Sequence, residues 1–104
     1  MKGFFLMIKG FPVNEEQLAK FCEENGIKFL GVFGSYARGD FNRNSDIDLM
    51  VRFDKTKTLL QIVDIEDKLS TLLGRKVDLL TEKSISPYLI DRIKKELIPL
   101  RDAA

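Results

Sequence analysis

The chain has no histidine, a single cysteine (Cys22) and only three prolines among its 104 residues. Without histidine there is no Ser-His-Asp triad, no Cys-His nucleophile pair and no histidine-held zinc or haem. One cysteine allows neither an internal disulfide nor a Cys-x-x-Cys metal knuckle. An excess of either charge is missing too. Seventeen basic residues stand against sixteen acidic, for a net charge of +1 and a pI near 7.8, a field too weak to hold nucleic acid or membrane nonspecifically. Long apolar runs are absent, since no segment approaches the ~20 residues that cross a bilayer. The opening Phe4-Phe5-Leu6-Met7-Ile8 is cut by Lys9 and followed by no small-residue cleavage site, so it is expected to be an edge strand or packing arm of a cytoplasmic protein. The chemistry open to this chain therefore runs on carboxylates, hydroxyls, lysine, arginine and backbone amides.

What is present reads as one globular domain over residues 1–104, with 44% apolar residues and no repeat, linker or low-complexity stretch. Asn14 is placed to cap a helix, with Gln17 as the return partner of a capping box and Val13 and Leu18 as its hydrophobic staple. Leu18, Phe21 and Cys22 form the apolar stripe, which makes Cys22 a buried small hydrophobe, and Asn25-Gly26 ends the helix. Ile27–Phe33 reads as a buried strand closed by Gly34-Ser35, with a short helix beginning near Tyr36. A polar loop leads to a second strand, Asp46–Phe53, that alternates Ile47, Leu49, Val51 and Phe53 with Asp46, Asp48, Met50 and Arg52. Thr58–Leu73 carries Leu59, Ile62, Val63, Leu69 and Leu72 at helical spacing, with Gly74 past its end. Arg75–Thr81 is a third strand. Ser86 and Pro87 open a last helix striped by Leu89, Ile90, Ile93 and Leu97, which Pro99 stops. The expected architecture is a small α/β (α+β) sheet with helices packed on one face.

Three features carry chemistry. Gly34-Ser35 follows a strand directly, so glycine permits close backbone approach to an anion and the serine adds a hydroxyl, although a plain strand-to-helix turn reads the same way. Gly34 and Gly39 have P-loop spacing, but Asp40-Phe41 stands where Lys-Ser/Thr is required, which excludes a Walker site. Asp46-x-Asp48 places two carboxylates on one strand face, with Cα atoms roughly 6.5 Å apart, within reach of a shared Mg²⁺. A calcium loop running from Asp40 is excluded, because Ser45 and Val51 occupy its glycine and glutamate positions. Asp78, inside Lys76-Val77-Asp78-Leu79-Leu80, is a costly acid in an apolar strand, compensated either by a metal shared with Asp46 and Asp48 or by Lys76 or Arg75.

Taken together, Gly34-Ser35-Tyr36-Ala37-Arg38-Gly39-Asp40, Ser45-Asp46-Ile47-Asp48-Leu49 and the later Asp78 resemble the DNA polymerase β-like nucleotidyltransferase superfamily. In particular they resemble its minimal prokaryotic members, many of them antitoxins paired with HEPN ribonuclease toxins. The resemblance spans roughly Ile27 to Thr81. It implies a small mixed sheet, Asp46, Asp48 and Asp78 as catalytic and metal-ligating residues for two Mg²⁺ ions, and Gly34 and Ser35 as the cradle of the ATP β,γ-phosphates. Arg38 is either a further phosphate contact or a surface arginine. The implied reaction is transfer of AMP to a tyrosine hydroxyl of a HEPN toxin. A binding-only antitoxin and an aminoglycoside-type small-molecule transferase are the alternatives. The apolar ends, Phe4-Phe5-Leu6 and Ile98-Pro99-Leu100, either meet a partner or fold back on the core.

Overall fold

The computed structural model describes residues 14–102. Helix α1 (Glu15–Glu24) starts where the Asn14 carboxamide oxygen accepts from the backbone N–H of Glu16 and Gln17, at 2.8 and 3.2 Å. The reciprocal box expected there forms at another helix: Thr58 and Gln61 exchange both bonds at the start of α3 (Leu59–Leu73). Between these helices lie β1 (Ile27–Phe33), the short α2 (Ser35–Arg38) and β2 (Ile47–Phe53). After α3 come β3 (Val77–Thr81), a 3₁₀ turn (Glu82–Ser84), α4 (Pro87–Glu96) and β4 (Ile98–Asp102). Val13 and the N-terminal apolar arm lie outside the described residues.

The four strands lie in the order β3-β2-β1-β4, with β2 parallel to β3 and the other two pairs antiparallel. The parallel pair needs a long crossover, which α3 supplies. The mixed sheet matches expectation, but β4 was not foreseen. Pro99 does follow the end of α4, yet the chain continues at once as an edge strand pairing with β1, where a residue without an N–H is tolerated. Leu100 is buried at 1% exposure, so Ile98-Pro99-Leu100 packs on its own core instead of offering itself to a partner.

Core formation follows the strand alternation. Leu30 and Val32 of β1, Ile47, Leu49 and Val51 of β2 and Val77 and Leu79 of β3 meet Leu18 and Cys22 of α1 and Ile65, Leu69 and Leu73 of α3. The expectation of helices on one face holds for α1 and α3. Helix α4 covers the other face, because Phe29, Phe33 and Met50 present apolar groups there that Ile90, Ile93 and Leu97 pack against. Cys22 is fully buried, as expected, and burial pushes its thiol up to about 11. Leu59 and Val63, placed in the α3 stripe from sequence, are instead exposed, since about 3.6 residues per turn rotates them off the line through Ile62, Ile65 and Leu69.

Strand β3 lies at one end of the sheet order, and α3 side chains satisfy two of its N–H groups. The Ser70 hydroxyl accepts from Val77 N at 3.0 Å, and a Glu66 carboxylate oxygen accepts from Leu79 N at 2.7 Å. These bonds flank Asp78 and close an edge open to intermolecular pairing. Replacing Glu66 with Ala should cost about 1.5–3 kcal/mol, the usual worth of a hydrogen bond to a charged group. Urea denaturation should show a lowered midpoint with an unchanged slope. An unmoved midpoint would show that water replaces the carboxylate at that edge.

Candidate active site

The site grows from the end of β1. Gly34 has φ 74° and ψ −150°, a region that is essentially glycine's alone. The antiparallel register pairs Phe33 with Asp48, and the Asp48 carboxylate occupies the space a Gly34 Cβ would need. Any side chain at position 34 therefore collides with a carboxylate as well as straining the backbone. Helix α2 begins at the next residue and is closed by Gly39 in the left-handed region, whose N–H reaches Ser35 O at 2.9 Å. Tyr36 is buried and stacks on Phe41 with ring centroids 4.1 Å apart, which anchors the loop leading back to β2.

The parallel register sets Asp48 of β2 directly against Asp78 of β3, and Asp46 immediately precedes β2. All three aspartates are half-buried. Asp48 is raised to about 6, first by burial, then by the Asp78 and Asp46 charges and a hydrogen bond with Asp78, partly offset by Arg38. Lys76 Nζ stands 3.8 Å from Asp46 and 4.0 Å from Asp78, so lysine does compensate Asp78, while Arg75 donates instead to the Arg43 carbonyl. A groove of about 350 Å³ beside Asp46 is walled by Arg43, Ser45, Arg75 and Lys76.

Among the described residues, no three ligating side chains close on one point as a preformed metal cage. The donor set still suits Mg²⁺. It is all oxygen, it carries more negative charge than Lys76 balances, and Mg²⁺ commonly takes only one or two protein carboxylates, completing its shell with water and substrate phosphate. The carboxylates thus fit the ion without enclosing it.

Arg38, foreseen as either a phosphate contact or a surface arginine, is half-exposed and already paired. Its Nε lies 3.3 Å from Asp40, and its Nη1 lies 3.4 Å from both carboxylate oxygens of Glu96. Glu96 was missed from sequence. Its Oε2 also accepts from Gly34 N at 2.6 Å, across 62 positions of chain. Nothing local marks it, because an acid in the last turn of an amphipathic helix reads as a solvated residue. Glu66 and Ser70 were missed for the same reason: each acts on a strand that sequence pattern alone does not place beside α3.

A glycine-only turn is thus set against an Asp-x-Asp strand, with a third aspartate in register on the parallel neighbour, which puts an anion-accommodating turn beside oxygen donors for a divalent cation. The nucleotidyltransferase domain family model matches residues 15–100, and the chain belongs to that family. Among its relatives, a Methanocaldococcus jannaschii protein that bears the name protein adenylyltransferase provisionally is 44% identical over 75 residues, 72% of this chain and 81% of its own. The protein adenylyltransferase MntA of Thermococcus cleftensis is 36% identical over 76 residues, 73% of this chain and 77% of its own. In the crystal structure of a toxin-antitoxin with AMP-PNP, one chain superposes at a TM-score of 0.74 with 29% identity, over 86% of this chain and 74% of that one. Among the described residues, no helix is long and apolar enough to cross a membrane.

The Asp48 environment makes a signed prediction. Its carboxyl titrates higher in the folded protein, about 6 against an ordinary 3.8, so the folded state is penalised above both values and relieved as pH falls through that window. In buffer free of divalent cations, Asp48→Asn should melt a few degrees above wild type at pH 7.5, with the gap closing at pH 5. An equal or lower melting temperature at pH 7.5, or a gap indifferent to pH, would contradict the charge-crowded site.

Proposed function

We propose that the protein transfers AMP from ATP to a tyrosine hydroxyl of a HEPN ribonuclease toxin, and so acts as its antitoxin. The observation that carries the proposal is the convergence of the Gly34 turn with Asp48 and, through the strand registers, with Asp78. Family membership, relatives named protein adenylyltransferase and the likeness to a toxin-antitoxin structure with an ATP analogue support it.

The residues divide the work by position. The Gly34 N–H, the Ser35 hydroxyl and the Arg38 guanidinium form the cradle of the β,γ-phosphates, donors of the kind that charge-assisted phosphate binding uses. Asp46 and Asp48 would hold Mg²⁺, and Asp78 would join them on the ion at the acceptor side. Two such ions, when bound, neutralise the triphosphate and lower the pKa of the acceptor hydroxyl. The tyrosine oxygen forms a bond to the α-phosphorus while the bond to the β-phosphate oxygen breaks. Pyrophosphate departs on the side opposite the attacking oxygen, and Asp78 takes up the phenolic proton. The reactive pair must approach to about 3–3.5 Å with attack in line, so the partner presents its tyrosine on a protruding segment. Negative charge added beside the toxin's RNA site disrupts that site.

Intact-mass spectrometry of a HEPN partner co-expressed with this protein tests the reading. The partner should gain whole AMP units with wild type and none with the Asp46→Asn, Asp48→Asn double variant. A partner that is neutralised equally by both, with no ATP-dependent mass change, would make the protein a binding-only antitoxin. A small molecule labelled in place of the partner would make it a transferase of the aminoglycoside type.

A further inference from the structure

From the contacts at the end of α4 we infer that Glu96 is an internal competitor of the nucleotide, holding the triphosphate donors in the free protein and thereby setting its affinity for ATP. The inference rests on the reading of Gly34 and Arg38 as phosphate donors. Helix α4 lies on the sheet face that carries Phe33 and Met50, anchored through Ile90 and Ile93 and, just past its end, Leu97. That packing delivers Glu96, the last residue of the helix, to the end of β1. Its side chain is only 20% exposed. One oxygen accepts from Gly34 N at 2.6 Å, and both lie 3.4 Å from Arg38 Nη1. A backbone N–H and a guanidinium gathered on one anionic group are the donor set a phosphate takes.

The two anions exclude each other at this place. Gly34 has one N–H, aimed at one acceptor, and Arg38 divides its guanidinium between Glu96 and Asp40. A triphosphate arriving there meets a carboxylate in contact with its own donors, and like charges at such a distance repel strongly in a half-buried setting. Glu96 must turn away before the phosphates settle. Rotation about its side-chain torsions would release both donors without moving α4, whose apolar contacts are made by other residues. The metal half of the site has a counterpart, since Lys76 Nζ lies 3.8–4.0 Å from the Asp46 and Asp78 carboxylates in the region where a divalent cation belongs. The free site is therefore balanced from within, by an anion at the phosphate end and a cation at the metal end.

A merely structural Glu96, bracing the Gly34 turn or positioning Arg38, predicts the opposite sign on removal, and this separates the two roles. Isothermal titration with AMP-PNP and Mg²⁺ should show Glu96→Gln and Glu96→Ala binding about tenfold or more tightly than wild type, the scale of a lost charge-assisted bond to a competitor. The KM for ATP should fall by a similar factor, with kcat changing less. Arg38→Ala should cost more affinity in the Glu96→Gln background than in wild type, because the guanidinium nitrogen that faces Glu96 is then available to phosphate while Nε stays on Asp40. Glu96→Gln keeps the shape of the side chain, so it reports even where Glu96→Ala loses stability. If wild type binds the nucleotide, Gly34→Val abolishes binding, and both Glu96 variants bind equally or more weakly than wild type, the competitor role is overturned. If wild type and both Glu96 variants all fail to bind, the reading of the turn as a phosphate cradle falls, and the inference with it.

Discussion

Strand β2 is paired on both sides, and the gathering of carboxylates at its N-terminal end depends on that double pairing. Its antiparallel partner β1 brings Phe33 opposite Asp48, so the turn after β1 passes directly over the carboxylate. Its parallel partner β3 brings Asp78 opposite the same residue. Shifting either register by one residue would send every side chain on the moved strand to the other face and scatter the site. The registers are held by the apolar residues on one face, Ile47, Leu49, Val51, Val77 and Leu79. On the side of β3 away from β2, Ser70 and Glu66 hold the N–H groups flanking Asp78. Burial on one side of the sheet thus fixes carboxylates on the other.

That concentration of acids has an energetic cost, and the surroundings meet part of it. Burial and neighbouring charge raise the Asp48 carboxyl to about 6, and Lys76 reaches toward both Asp46 and Asp78. At the other half of the site, Arg38 is held between Asp40 and Glu96, and the Gly34 N–H is taken by Glu96. A site whose charges are compensated internally stays folded without ligand. It also makes the ligand compete with the protein's own side chains. Under the proposed function, stability of the free protein and affinity for the nucleotide are opposed at the same few residues, a trade common where charged groups converge for function.

The sequence was most informative where the signal is local. Gly34 stands out as a glycine closing a strand, and the structure gives it a backbone that only glycine tolerates. Asp46, Asp48 and Asp78 stand out because acids are costly where apolar strands are expected, and the strand registers bring them to one end of the sheet. The Asn14 and Ser86 caps and the burial of Cys22 were legible from patterns within a few residues. Apart from the return bond of Gln17 and the phase of the α3 stripe, the misses are long-range. Strand β4 was hidden because Pro99 reads as a stop until an edge position beside β1 gives it a place. The second helical layer was hidden because Met50 was grouped with its charged neighbours, although Phe29 and Phe33 make that face apolar. Leu59 and Val63 fit a helical stripe on paper but fall outside the arc that meets the sheet. Glu96 and Glu66 look like surface acids because their partners, Gly34 and Leu79, lie 62 and 13 positions away.

In the proposed function, one site joins the Gly34 turn to the aspartates of β2 and β3 around a metal-bound nucleotide. A crystal structure with AMP-PNP and Mn²⁺, using the anomalous signal to locate the metal, tests it most directly. Metal density is expected against Asp46 and Asp48, with the terminal phosphates on the Gly34 N–H and Ser35 and the Glu96 carboxylate turned away from both. Nucleotide bound elsewhere on the fold, or metal density remote from these aspartates, would contradict it.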